Sequence, residues 1–225
     1  MKLILATPHK RNDSLEKRLI EYGYCINRVY SPSELETLLN TGYKPDYIFF
    51  PHWSWIIPRA IFAENRCVIF HMTDLPYGRG GSPLQNLIVR GKENTKLSAI
   101  KCVEELDGGP VYLQRDLSLS GTAEDILLRA SELMFDMIVR IVSEKIEPVE
   151  QVGDPVVFTR RSPEEGDISG LFEIKKVYDY IRMLDADGYP PAYADLKYLK
   201  VEFSEAKLCS EYVIAQVKIY VRDDE

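Results

Sequence analysis

Disulfide and zinc chemistry are the first things this 225-residue chain has too few residues for. It holds four cysteines, Cys25, Cys67, Cys102 and Cys209, with no CxxC pair, and three histidines, His9, His52 and His71. With no Cys/His cluster at ligand spacing, neither a disulfide framework nor a metal site is expected. Cys25, Cys67 and Cys102 lie in or beside apolar strand-like runs and read as buried free thiols. That usage implies a reducing, cytoplasmic compartment. No apolar run approaches the roughly eighteen residues of a membrane span. The apolar stretch at residues 2–6 is too short for a secretory signal and reads as a first strand. Positive charge is also scarce, with 28 Lys and Arg against 35 Asp and Glu, a net −7. Such a chain is not built for non-specific phosphate-backbone binding, so nucleic acid is disfavoured as a partner. A local basic cleft stays compatible with this.

What is present is an ordinary globular composition, 45% apolar, at a length that buries a sizeable core. Strands are expected at residues 2–6, 25–30, 46–50, 67–72, 97–103 and 111–119. Helices fall between them, at 13–22, after Pro32, after Pro58, at 83–90 and from 123 to 146. Ser31-Pro32-Ser33-Glu34 is a strong helix start, with Ser at the N-cap and Glu three residues on. Alternating strand and helix predict an α/β fold with a mostly parallel sheet covered on both faces. After Pro148 the pattern changes to a short strand, a charged loop, a helix at 171–184 and alternating strands. We therefore expect a body at residues 1–147 and a small mixed C-terminal extension at 148–225. An exposed edge among the last strands offers a route to a homodimer.

In open parallel sheets, ligands bind beyond the carboxyl ends of the strands. His52 and Trp53 end the third expected strand. His71 and Thr73 end the fourth. Asp107-Gly108-Gly109-Pro110 turns between the fifth and sixth. A histidine and an aspartate brought to one edge make a general acid/base pair, the carboxylate fixing the tautomer and holding the proton. The structural reading is that His71 satisfies a local carbonyl and Asp107 only makes its turn.

The run Phe70-His-Met-Thr-Asp-Leu-Pro-Tyr-Gly-Arg-Gly80, followed by Ser82-Pro83, resembles the signature loop of the folate-dependent formyltransferases. Asp107-Gly108-Gly109-Pro110 resembles that family's later Asp-x-Gly stretch. Trp55-Ile56-Ile57-Pro58, the segment from Arg160-Arg161 to Asp167-Ile168, and Tyr189-Pro190-Pro191-Ala192-Tyr193 are weaker matches. The resemblance implies a Rossmann-like formyltransferase fold and 10-formyltetrahydrofolate as formyl donor to a primary amine. It places His71 and Asp107 in catalysis. It puts the pterin near Trp53, Trp55, Ile57, Glu104 and Leu106. One departure stands out. The family's catalytic Asn sits two residues before the His, and here that position is Ile69. Losing one such donor typically costs about 2.7–4 kcal/mol of barrier. His52, Ser54, Thr73 and Asn86 are candidate replacements, His52 first.

Three acceptors fit the resemblance. Glycinamide ribonucleotide transformylases share the Gly-Pro-Val-Tyr-Leu-Gln run at 109–114, but hold phosphate with a glycine-rich first loop that is absent here. Methionyl-tRNA formyltransferases share the Leu-Pro-x-x-Arg-Gly loop, but carry a further C-terminal barrel, and this chain is expected to be too short for a full one. Elimination leaves sugar-nucleotide N-formyltransferases and a small, nucleotide-linked amine as the expected substrate. Thr73, Tyr77, Arg79, Gly80, Asn86 and Lys10 are the expected acceptor contacts. Lys10, Arg11, Arg79 and Arg161 are candidates for a diphosphate. The alternatives are methionyl-tRNA formylation, hydrolysis of formyltetrahydrofolate, and a non-catalytic binding relative, to which Ile69 points.

Overall fold

The computed structural model describes residues 1–222. In chain order the elements are β1 (Lys2–Ala6), α1 (Asp13–Glu21), β2 (Cys25–Val29), α2 (Pro32–Asn40), β3 (Tyr47–Phe50), α3 (Arg59–Glu64), β4 (Cys67–His71) and β5 (Tyr77–Gly80). They continue with α4 (Pro83–Val89), β6 (Asn94–Lys101), β7 (Val111–Ser118), α5 (Ala123–Ser143) and β8 (Val156–Phe158). The last are α6 (Ile174–Leu184), β9 (Ala192–Asp195), β10 (Leu199–Leu208) and β11 (Val213–Val221). Two compact units interleave along the chain: Met1–Gly80, Thr95–Leu117 and Leu127–Val157 form the first, and Gly81–Asn94, Ser118–Ile126 and Phe158–Glu225 the second. The sequence pattern places one cut at 147/148; the interleaving arises because α4 and the start of α5 gather with the later residues.

The first unit is built on a six-stranded sheet in the order β2-β1-β3-β4-β6-β7. β2, β1, β3 and β4 run parallel, and β6 runs antiparallel to β4. The sheet is thus mostly parallel, an α/β Rossmann-like arrangement. The inner parallel strands β1, β3 and β4 are apolar on both faces because both are covered, whereas the edge strand β2 carries Asn27 and Arg28. On one face Ile4, Ile48, Phe50, Cys67 and Cys102 form a core cluster with Leu35, Ile57 and Ile61. Phe49 and Phe70 point the other way and stack at 6.2 Å. Cys67 and Cys102 are buried as expected, but Cys25 is exposed. It opens β2, an edge strand of the sheet. α1 and α5 meet where Arg18 pairs with Glu132 and lies 4.0 Å over the Phe135 ring.

Local chemistry accounts for the helix starts. Ser31 caps α2 by accepting the Glu34 N–H at 3.3 Å, with Pro32 at the first helical position. Thr122 and Asp125 cap the start of α5 reciprocally: Thr122 Oγ1 accepts the Asp125 N–H at 3.1 Å, and Asp125 Oδ2 accepts the Thr122 N–H at 2.9 Å. The loop expected at 73–82 contains a short strand, β5, which pairs with β8 in a separate two-stranded sheet.

In the second unit, the three-stranded antiparallel sheet β11-β10-β9 packs on α6 through Phe203, Val213 and Ala215 against Ile181 and Ile168. Arg182 of α6 is buried. Its guanidinium binds Asp179 at 2.7 Å and the carbonyls of Leu119 and Gly121 at 2.6 and 3.0 Å. Among the described residues no helix is long and apolar enough to cross a membrane.

Candidate active site

The parallel register places Phe50 beside Ile69 and Leu5 beside Phe49. The carboxyl ends of β1, β3 and β4 therefore share one edge of the sheet. His71 is the last residue of β4 and is buried. The loop from β6 to β7 returns to the same edge carrying Asp107. Gly109 lets it do so. A Cβ there would lie 1.8 Å from the Lys101 carbonyl oxygen, so only glycine fits. Asp107 itself takes a left-handed φ of 52°, which Asp tolerates better than most residues.

His71 Nδ1 lies 3.5 Å from Asp107 Oδ1, with both side chains at most 10% exposed. The other ring nitrogen, Nε2, is 2.7 Å from the Gly78 carbonyl. A carbonyl only accepts, so Nε2 carries a proton and Nδ1 faces the carboxylate. Asp107 Oδ2 accepts the Gly80 N–H at 2.9 Å. The local contacts of the structural reading are thus present, with His71 on the Gly78 carbonyl and Asp107 on the Gly80 N–H, and the second carboxylate oxygen is left facing Nδ1.

Behind the pair lies a hydrogen-bonded frame. Ser98 donates to the Thr73 carbonyl at 2.6 Å, and Gln114 donates to Ser98 at 3.0 Å. Thr73 is buried, its hydroxyl 3.4 Å from the Gly78 carbonyl. Gln151 donates to the carbonyls of Asp107 and Gly109, both at 2.8 Å, and accepts from the Arg79 guanidinium at 2.8 and 3.0 Å. Arg79 also binds Glu105 at 2.6 Å. Gln151 was not visible to sequence reasoning, because nothing local marks it; its role comes from a contact 44 residues away in the chain.

The other expected residues divide. Trp53 is half-buried and meets Trp55 edge-on at 4.7 Å. Trp55 and Leu106 are exposed, as is Ile56. Arg59 and Glu104 pair across the two loops at 3.6 Å. Trp53, Trp55, Glu104 and Leu106 therefore lie on neighbouring loops, whereas Ile57 is a core residue beneath them. Tyr77 opens β5 half-buried, and Gly80 has its N–H on Asp107. Lys10 is exposed in the first loop. Asn86 belongs to the second unit, and its amide is spent on the carbonyls of Gly81, Ser82 and Thr159 and on Arg90. Arg161, also in that unit, pairs with Glu165 at 3.2 Å. Ile69 lies on β4 and packs against the apolar cluster of Phe50 and Ile57, so no side-chain donor stands at this position.

His52 is held differently from His71. Its backbone has φ 51°, and its Nδ1 is 3.4 Å from the Asn12 amide nitrogen. Asn12 also donates to Thr7 at 2.7 Å and accepts from Ser131 at 2.8 Å. Burial, then the charges of Arg11 and His9, push the His52 pKa down to about 3. The ring is neutral at physiological pH. An amide nitrogen donates, so Nδ1 accepts and Nε2 carries the hydrogen. That buried Nε2 has no hydrogen-bond partner.

A family model described as formyl transferase matches residues 9–141. The chain belongs to the formyl transferase family. A second model, the methionyl-tRNA formyltransferase C-terminal domain, matches residues 163–220. A solved methionyl-tRNA formyltransferase from Clostridium thermocellum is 45% identical, with a TM-score of 0.94 over 99% of this chain and 100% of that one. A methionyl-tRNA formyltransferase of Bacillus cytotoxicus is 29% identical over 178 residues, 75% of this chain and 55% of the relative. The chain thus spans a little over half the length of that relative. HypX from Aquifex aeolicus, solved with tetrahydrofolic acid, is 18% identical with a TM-score of 0.77 over 92% of this chain and 38% of that one. It shares the fold.

Proposed function

We propose that the chain transfers a formyl group from 10-formyltetrahydrofolate to a primary amine at the His71–Asp107 edge. The observation that carries this reading is the 3.5 Å contact between His71 Nδ1 and Asp107 Oδ1 beyond the end of β4. The nearby loops suit a flat heterocycle. They offer the indoles of Trp53 and Trp55, the exposed Leu106, and the backbone of the turn at 104–109. The folate, when bound, supplies the formyl carbon on an amine nitrogen that then leaves. His71 and Asp107 manage the protons. The attacking amine sheds one proton as its bond to the formyl carbon forms. The departing nitrogen gains one as its bond breaks. With the Nε2 hydrogen held on the Gly78 carbonyl, the imidazole takes the first proton at its bare Nδ1, where the Asp107 carboxylate stabilises the charge. It returns that proton from Nδ1 to the departing nitrogen.

Ile69 supplies no donor for the developing oxygen charge. By the cost of one lost donor, turnover is expected about 10²–10³-fold below that of a site holding the amide. The acceptor favoured by the comparisons is the amino group of a methionyl-tRNA rather than of a nucleotide-linked sugar. The support is the 45% identical relative aligned along its whole length and the C-terminal match at 163–220. The net charge of −7 favours the sugar nucleotide, which is the second reading.

The test is release of tetrahydrofolate from 10-formyltetrahydrofolate with methionyl-tRNA, with nucleotide-linked amino sugars, and with no amine, each beside His71→Ala. Release that needs an amine and is lost in His71→Ala supports transfer and names the acceptor. Release without an amine identifies a hydrolase. Folate binding with no release identifies a binding relative.

A further inference from the structure

The chain from Val149 to Val156 crosses the catalytic edge on fixed points. Val149 exchanges two backbone hydrogen bonds with Val111, the first residue of β7, at 2.7 and 2.9 Å. Further on, the Val156 N–H donates to the Pro76 carbonyl at 3.2 Å. Between these anchors stands the half-buried Gln151. The sequence pattern assigns this segment to the C-terminal extension, but it gathers with the first unit. Both ends of the Gln151 amide are determined by their partners. A guanidinium only donates, so Oε1 faces Arg79 Nε and Nη2 at 3.0 and 2.8 Å. A carbonyl only accepts, so Nε2 donates to Asp107 and Gly109, both at 2.8 Å. A flipped amide would oppose like groups at both ends. The two arms of Gln151 end on the two members of the pair. One holds the Asp107 backbone. The other holds Arg79, which lies between Gly78, whose carbonyl takes His71 Nε2, and Gly80, whose N–H holds Asp107 Oδ2. A further Arg79 nitrogen, Nη1, is on Glu105, and the Arg79 side chain is only 12% exposed. This reassigns Arg79 from the acceptor or diphosphate contact expected on sequence to a strut.

We propose that Gln151 is a positioning residue for formyl transfer, setting the separation of His71 and Asp107 through Arg79 on one side and the Asp107 backbone on the other. Its role in transfer rests on the proposed function; its positioning of the pair does not. The turn itself explains the need. Asp107 sits at φ 52°, a conformation that a side-chain-bearing residue keeps only when its surroundings impose it. Two glycines follow, so the turn has little stiffness of its own. Hydrogen bonds from one amide to the carbonyls on either side of Gly108 supply that stiffness. Without them the 3.5 Å contact between Nδ1 and Oδ1 is free to lengthen, and a misplacement of about 1 Å costs roughly 10²-fold in rate.

The test follows the His71 ring nitrogens of the full chain by ¹⁵N NMR, beside kcat for amine-dependent release of tetrahydrofolate and the denaturation midpoint. Gln151→Glu keeps the shape and the Arg79 contact, but puts an oxygen where two carbonyls need a donor. It is expected to move the Nδ1 signal toward that of Asp107→Asn, to leave the Nε2 signal in place, and to lower kcat about 10²-fold. Gln151→Met holds neither arm and introduces no charge, so it is expected to move both signals. Val152→Ser, on the exposed neighbour, is expected to leave both signals and kcat unchanged. Unmoved His71 signals in Gln151→Glu and Gln151→Met overturn the proposal, and a lower denaturation midpoint alone would make Gln151 a purely structural residue. An unmoved Nε2 signal in Gln151→Met overturns the arm through Arg79. Signals that move equally in Val152→Ser overturn the assignment to Gln151. If the signals move as expected but the unsubstituted chain transfers no formyl group, the functional reading falls and the positioning stands.

Discussion

Replacing Gly109 with alanine puts a methyl group where the Lys101 carbonyl oxygen now sits. The Cβ would start 1.8 Å from that oxygen, against the 3.0 Å that real contacts essentially never undercut. The turn must therefore move by about 1.2 Å. The obstacle is backbone at the end of β6, so a side-chain rotation cannot relieve it. Gly109 is two residues from Asp107, and Gln151 ties the two carbonyls together. The displacement is passed to the carboxylate. The 3.5 Å contact with His71 then opens beyond useful range. A misplacement of about 1 Å at a catalytic group costs roughly 10²-fold, and the backbone shift costs about 1–3 kcal/mol of stability. Two assays check this: kcat for amine-dependent release of tetrahydrofolate, and the ¹⁵N shift of His71 Nδ1. The expected outcome is a fall of about 10²-fold in kcat in a less stable but still folded protein, and a His71 signal like that of Asp107→Asn. A Gly109→Ala protein with wild-type kcat and an unmoved His71 signal would refute the reasoning that the turn positions the pair.

Ile69→Asn restores an amide two residues before His71. It is expected to raise kcat by up to about 10²–10³-fold while lowering stability by about 1–3 kcal/mol, because the amide enters an apolar cluster. A folded variant with unchanged kcat would show that the missing donor does not limit the chain. Arg182→Met leaves Asp179 and two carbonyls without their buried partner and is expected to cost about 3–5 kcal/mol, seen as a lower denaturation midpoint. The His52 pKa of about 3 is depressed from an ordinary 6.5, so the unfolded chain binds the extra proton first. Its contribution to stability is full above about pH 6.5 and is lost as pH falls toward 3, with a slope of up to about 1.4 kcal/mol per pH unit. His52→Gln is expected to flatten this part of the stability–pH curve; an unchanged slope would place the titrating group elsewhere.

Much of the fold could be read from local pattern. Ser31-Pro32 and Thr122–Asp125 start helices because their side chains satisfy the open N–H groups of a first turn, a short-range effect. The apolar runs around Ile4, Ile48 and Val68 become strands buried on both faces. Cys25 was misread because periodicity does not tell an edge strand from a central one. β5 was missed because four residues, Tyr77–Gly80, with two glycines, carry no strand signal until β8 pairs with them.

The same division runs through the site. The chain's own residues fixed which chemistry was available: a His at the end of one apolar run, an Asp in a Gly-Gly-Pro turn, and an isoleucine where an amide donor was expected. Spacing and motif survive in one dimension, so these were legible. Only the tertiary structure decided who meets whom. Parallel register brought the ends of β1, β3 and β4 to one edge. A carbonyl 1.8 Å from the place of an absent Cβ required glycine at 109. Contacts between residues 40 and more apart in sequence gave Gln151 its grip on the turn and left His52 with one nitrogen bonded to Asn12 and the other without a partner. Such contacts depend on chain reversal and burial, which local sequence does not encode.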